Sequence, residues 1–145
     1  IISSFSITTY YMKKGELINM GIRNWSNRFQ VSGSVGGDSN VNISPGGVTF
    51  FQRITASLPA ESSLVIKRTR FFFLDDLRLF VDTFPSGTGY VSQSNPNEET
   101  PNSTIYTNNT NLPQLVRIFI GCTNTNDIPL NANPSDGWWI DFSIE

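Results

Sequence analysis

The sequence predicts an all-β domain, a sandwich or barrel of short strands, and three observations carry that reading. Asn, Ser and Thr supply 45 of the 145 residues, while Ala appears three times and Phe eleven. Helices favour Ala, Leu, Glu and Lys, whereas strands favour β-branched and aromatic residues and turns favour Asn, Gly and Ser. Turn-forming groups recur at Lys14-Gly15, Gly36-Gly37-Asp38, Pro45-Gly46-Gly47, Leu58-Pro59, Pro85-Ser86-Gly87 and Asp136-Gly137. No apolar period of 3.6 residues persists between them.

The strands follow from that punctuation in order. The first spans 4–12 and stops at Lys14-Gly15, the second spans 16–22, and the third, 28–35, stops at Gly36-Gly37-Asp38. A short strand at 40–44 precedes Pro45-Gly46-Gly47, and a long one at 47–57 runs into Leu58-Pro59. The next, 63–73, ends in Phe71-Phe72-Phe73, read as buried on both faces or covered by a neighbouring subunit. A strand at 77–84 is a simpler reading than a helical turn over 74–80. The stretch 85–113 is the longest loop, rich in Ser, Asn, Pro and Thr, with a strand expected at 103–107 and the acidic pair Glu98-Glu99. Loops of this length are often binding elements. Strands at 114–122 and 137–144 complete the chain, and Trp25 is expected in the core.

Alternation assigns faces. Trp138, Ile140, Phe142 and Ile144 point inward from the last strand, with Trp139, Asp141, Ser143 and Glu145 outward. Val116, Ile118, Ile120 and Cys122 point inward, with Leu115, Arg117 and Phe119 outward. At 47–57, Val48, Phe50, Ile54 and Ala56 are expected inward and Phe51, Arg53 and Thr55 outward; at 77–84, Leu77, Leu79 and Val81 inward and Arg78, Phe80 and Asp82 outward. The outward faces therefore pair Arg with an aromatic: Phe51 with Arg53, Arg78 with Phe80, Arg117 with Phe119, and Trp139 beside Asp141. Aromatic rings stack on sugar faces while Arg and Asp bond hydroxyls. The same pairing suits a subunit interface, or packing beneath loops.

The residue inventory excludes whole classes of function. Without His there is no Ser-His-Asp or Cys-His nucleophile and no ordinary zinc site. The single Cys122 cannot form an internal disulfide. A net charge of −2 gives no basic field for nucleic acid. No apolar run approaches the roughly 18 residues of a membrane helix, so no membrane insertion is expected. Asp75-Asp76 and Asp82 fix no carboxylate pair at a set distance, so the chain reads as non-catalytic. The cluster Lys67-Arg68-x-Arg70 alternates faces on a strand and is not a one-sided patch. Gly33-x-x-Gly36-Gly37 reads as a hairpin turn, with no helix following to bind phosphate. The four sequons, at Asn24, Asn42, Asn102 and Asn108, are about as many as chance gives in so Asn-, Ser- and Thr-rich a chain. The chain begins at Ile1 rather than Met, and the whole of 1–145 is read as a single domain that is a fragment or processed piece of a larger protein.

Several segments, in order, resemble galactose-binding-domain-like jelly rolls. The ending Gly137-Trp138-Trp139-Ile140-Asp141-Phe142-Ser143-Ile144-Glu145 is similar to their closing strand. The stretch Gly47 to Ile54, followed by Leu58-Pro59-Ala60 and Leu64-Val65-Ile66, is similar to their middle. Glu16-Leu17-Ile18-Asn19-Met20 with Trp25 is similar to their opening element. The resemblance implies an antiparallel jelly-roll β-sandwich, of a kind found as carbohydrate-binding modules on secreted glycosidases and at the tips of phage tail fibres and other virion adhesins. It implies a non-catalytic module for a glycan or cell-surface receptor, on a virion surface or extracellular. The alternative is a structural virion or fibre subunit, a homo-oligomer such as a trimer, using the same faces for its contacts. The ligand residues expected are Phe51, Arg53, Arg117, Phe119 and Trp139, with Tyr90 on the long loop. No cofactor is expected. The structural calcium of many such domains would fall to Asp141, with Asn19 or Glu16, although Phe142 stands where the family has a second Asp.

Overall fold

The computed structural model describes residues 6–10, 21–24, 27–34, 41–71, 76–92, 102–132 and 137–145. They form twelve strands: β1 (Ser6–Tyr10), β2 (Gly21–Asn24), β3 (Arg28–Ser34), β4 (Val41–Ile43), β5 (Val48–Leu58), β6 (Ser63–Phe71), β7 (Leu77–Phe84), β8 (Tyr90–Val91), β9 (Ser103–Thr107), β10 (Gln114–Asn124), β11 (Leu130–Ala132) and β12 (Gly137–Ile144). Trp25, Glu16, Asn19, Phe72, Phe73, Asp75 and the Glu98-Glu99 pair lie outside the described residues.

Two five-stranded sheets are built from these strands, ordered β1-β5-β10-β7-β8 and β2-β3-β12-β6-β9. The pairing is nested and antiparallel. β3 lies against β12, β5 against β10, β6 against β9 and β7 against β8. The β4·β11 ribbon bridges the first two pairs, while β1 and β2 extend one edge of each sheet. A ribbon paired from its ends inward and rolled so that its strands fall into two sheets is a jelly roll. Among the described residues no helix is long and apolar enough to cross a membrane.

Alternation explains the core. Ile54, Ala56, Leu79, Val81, Val116, Ile118 and Ile120 of the first sheet are buried against Phe29, Val31, Leu64, Ile66, Phe71, Trp138, Ile140 and Phe142 of the second. Phe29 and Phe142 stack with centroids 4.9 Å apart. Each Val, Leu, Ile or Phe side chain among them contributes about 1.5–3 kcal/mol on leaving water.

The abundant Asn has a structural use. Asn108 is fully buried, and its Nδ2 donates to the carbonyls of Leu58, Pro59 and Leu112 while its Oδ1 accepts from the backbone N–H and hydroxyl of Thr110. Asn124 donates to the Ile43 and Ile128 carbonyls. A buried amide that satisfies its donors and acceptors in this way ties a turn to a strand end at little desolvation cost. The sequon at Asn108 is therefore internal.

Three expectations change. β8 and β11, two and three residues long, lie where only loop is expected. The pair β5·β10 shifts register between Ile120, opposite Gln52, and Gly121, opposite Phe50, leaving Phe51 as an extra residue. A bulge of this kind re-aims the side chains on one side of it. Phe51 thus turns into the core at 6% exposure, and Phe50 and Val48, expected inward, face out at 38% and 42%. A second bulge in β6, between the pairs Asp141 with Arg68 and Phe142 with Ile66, leaves Lys67 extra. Lys67 then reaches Glu145 at 2.9 Å, and Arg68 and Arg70 are exposed, so the basic cluster lies on one side of the sheet rather than alternating.

Candidate binding face

The outer face of the first sheet is a grid fixed by strand register. Arg53 of β5 lies opposite Phe119 of β10, and Phe119 lies opposite Asp82 of β7. One row along, Phe50 lies opposite Gly121, Gly121 opposite Phe80, and Phe80 opposite Val91 of β8. On the other side, Thr55 lies opposite Arg117, and Arg117 opposite Phe84.

Gly121 lets the rings gather. A Cβ there would come within 2.0 Å of the Thr49 carbonyl oxygen and 2.7 Å of the Phe50 Cα, so the bulged β5 backbone occupies that volume. Glycine at a bulge commonly permits such a close backbone approach. Above it, the Phe50 ring sits 5.8 Å from Phe80 and 5.7 Å from Phe119, in tilted contacts. Tilted pairs at this spacing suit the aromatic quadrupole. The Arg117 guanidinium lies 5.4 Å from the centroid of Phe84, which is 57% exposed. Of the seven large apolar residues exposed among those described, Val48, Phe50, Phe84, Val91 and Leu115 lie on this sheet.

The six residues expected to bind ligand do not share one surface. Arg53, Arg117 and Phe119 are brought together here. Phe51 faces inward because of the bulge. Tyr90 pairs with Val81 on the edge strand β8 and packs half-buried against the core. Trp139 lies across the sandwich on the second sheet, where the Arg68 guanidinium is 5.3 Å from its ring. Phe50, Phe80 and Phe84 complete the aromatic surface in place of Phe51 and Trp139. The signal for the bulge is present in Phe50-Phe51-Gln52-Arg53, two apolar then two polar residues, which breaks the strict alternation of a regular strand.

Around Trp139 the second sheet is polar and cross-linked. Gln30 Nε2 donates to Asp141 Oδ1 at 2.8 Å, and Arg68 and Arg28 lie 3.8 and 4.0 Å from its Oδ2. Two guanidinium groups and an amide N–H already surround this carboxylate, and calcium requires six to eight oxygen ligands. Glu16 and Asn19, which the resemblance implies would share a calcium ion with Asp141, lie outside the described residues, and no group of three or more metal-ligating side chains occurs among the described residues. Nearby, the Lys67 hydrogen bond, with further help from Lys67 charge, Ser143 and Arg28, holds the Glu145 carboxyl below its ordinary value against a smaller opposing effect of burial.

The sequence matches no protein-family model and no curated protein. Among solved structures the chain is similar to TmCBM61, a carbohydrate-binding module in complex with β-1,4-galactotriose, at 11% identity and a TM-score of 0.35, over 99% of this chain and 89% of that one.

Proposed function

We propose that the protein is a non-catalytic binding module that takes carbohydrate on the outer face of its first sheet. The observation that carries this reading is the gathering of Phe50, Phe80 and Phe119 over Gly121, with Arg53 and Arg117 in adjoining rows. The rings offer apolar surface to the C–H faces of a pyranose, and the guanidinium groups offer planar donors to its oxygens. Ring stacking with a few polar contacts gives weak binding at each site, and several copies displayed together, on a virion or another extracellular assembly, give useful avidity.

A second reading is supported by the exposed Val48, Phe84, Val91 and Leu115 on the same sheet. Exposed apolar residues gathered on one sheet also serve subunit contact, and the face would then be covered by a copy of the chain or a neighbouring virion protein.

A glycan array probed with the multivalently displayed protein separates the two. The module reading expects a related set of sugars to bind, with Phe50→Ala and Phe119→Ala each costing about 1–2 kcal/mol as truncated anchors do. A blank array, together with a trimer or larger assembly in sedimentation that dissociates on Phe50→Ala, would establish the subunit reading instead.

A further inference from the structure

Charge is unevenly distributed over the fold. Eight of the ten Lys and Arg residues lie in the described strands (Arg23, Arg28, Arg53, Lys67, Arg68, Arg70, Arg78 and Arg117), against two of the twelve acidic residues, Asp82 and Asp141. The sheets are thus cationic in a chain whose net charge is −2.

The two sheets use that charge differently. On the second, Arg28 and Arg68 face Asp141, and Lys67 bonds Glu145. On the first, Asp82 is the one acidic residue in the described strands, and its Oδ1 already accepts the Thr83 backbone N–H at 2.8 Å. Arg117 is exposed and stacked on Phe84, and among the described residues it has no ion-pair partner. It stands two residues from Phe119 on the same side of β10, about 6.6 Å along the strand. A sugar ring stacked on Phe119 would therefore place a neighbouring substituent or ring at Arg117.

We infer that the face selects an acidic saccharide, whose carboxylate or sulfate lies against the Arg117 guanidinium while a sugar ring stacks on the aromatic group. This rests on the carbohydrate reading of the same face. A guanidinium fork held by an aromatic ring and lacking a described carboxylate partner is preorganised to donate to two oxygens of one anionic group.

The test is an array of uronic-acid, sialylated and sulfated oligosaccharides, each beside the neutral form of its backbone, with single-stranded oligothymidine as a further anionic probe. It is read with the wild type, Arg117→Gln and Arg70→Gln, all displayed multivalently and checked for folding by circular dichroism. The expected result is binding to at least one acidic class about tenfold or more above its neutral form, as a charged hydrogen bond gives. Arg117→Gln should bring that ratio close to one, and Arg70→Gln, on the other sheet, should leave it unchanged. The acidic class that binds identifies carboxylate or sulfate as the group recognised. Equal binding of acidic and neutral forms would overturn the inference while leaving the carbohydrate reading intact. Equal losses in the two variants, or stronger binding to oligothymidine than to any acidic sugar, would overturn it by showing a general response to charge. No binding to any saccharide would overturn both.

Discussion

The two outer faces of the sandwich are made from the same residue types and put to opposite uses. On the second sheet three cations have described acidic neighbours: Arg28 and Arg68 lie beside Asp141 and Lys67 bonds Glu145, with the Arg68 guanidinium over Trp139. On the first sheet the aromatics lie against one another and Arg117 lies over Phe84. Both faces carry a bulge, but the consequences differ. In β6 the extra residue is Lys67, which finds a carboxylate; in β5 it is Phe51, which enters the core and leaves Phe50 outside. An aromatic and an arginine on a strand therefore do not define a binding face by themselves. What distinguishes Arg117 on the first face from Arg68 on the second is that Arg68 lies beside Asp141, whereas Arg117 has no ion-pair partner among the described residues.

The largest effect that would break this contrast is at the adjacent phenylalanines. Phe51→Ala should cost about 3–5 kcal/mol of stability, as a buried Phe does. Phe50→Ala should cost about 1 kcal/mol, the worth of its ring contacts. Chemical denaturation of the two variants reads the difference, and similar losses would mean that β5 runs without the bulge. Next, Gly121→Ala forces a Cβ against the Thr49 carbonyl, and relieving that overlap should cost about 3 kcal/mol. Tryptophan fluorescence during urea unfolding would record it, and an unchanged midpoint would remove the structural reason for glycine at that position.

Smaller effects sharpen the comparison. Trp139→Ala should leave saccharide binding within twofold of wild type, because the ring lies on the opposite sheet. The Lys67 to Glu145 pair is exposed and should contribute no more than about 0.2–1 kcal/mol. Because the folded-state pKa of Glu145 is lowered, that contribution is present above the ordinary value of 4.5 and is lost as the pH falls through the depressed folded value. Lys67→Met should abolish this part of the acid dependence, as read by stability measurements at pH 7 and across the acid range.

The fold was largely legible in the sequence. Turn punctuation located the strands, alternation located the cores of β10 and β12, and the resemblance pointed to the jelly roll that the nested pairing displays. The binding face was legible only in part. Arg53, Arg117 and Phe119 follow from alternation, but Phe51 does not, since alternation assumes an unbroken register and a bulge is set by the partner strand. Trp139 joined the same list because a single strand shows which side a residue takes, not which of two sheets that side belongs to. β8 and β11 are too short to carry a pattern.

The most direct test of the central claim is to map the bound ligand by amide chemical-shift perturbation. The isotope-labelled protein would be titrated with the strongest binder from the saccharide array. The account predicts that the shifts concentrate at Phe50, Arg53, Phe80, Arg117 and Phe119, with Arg68, Arg70 and Trp139 unmoved. Shifts concentrated at Trp139, Arg68 and Arg70 instead would contradict it and place the binding face on the second sheet.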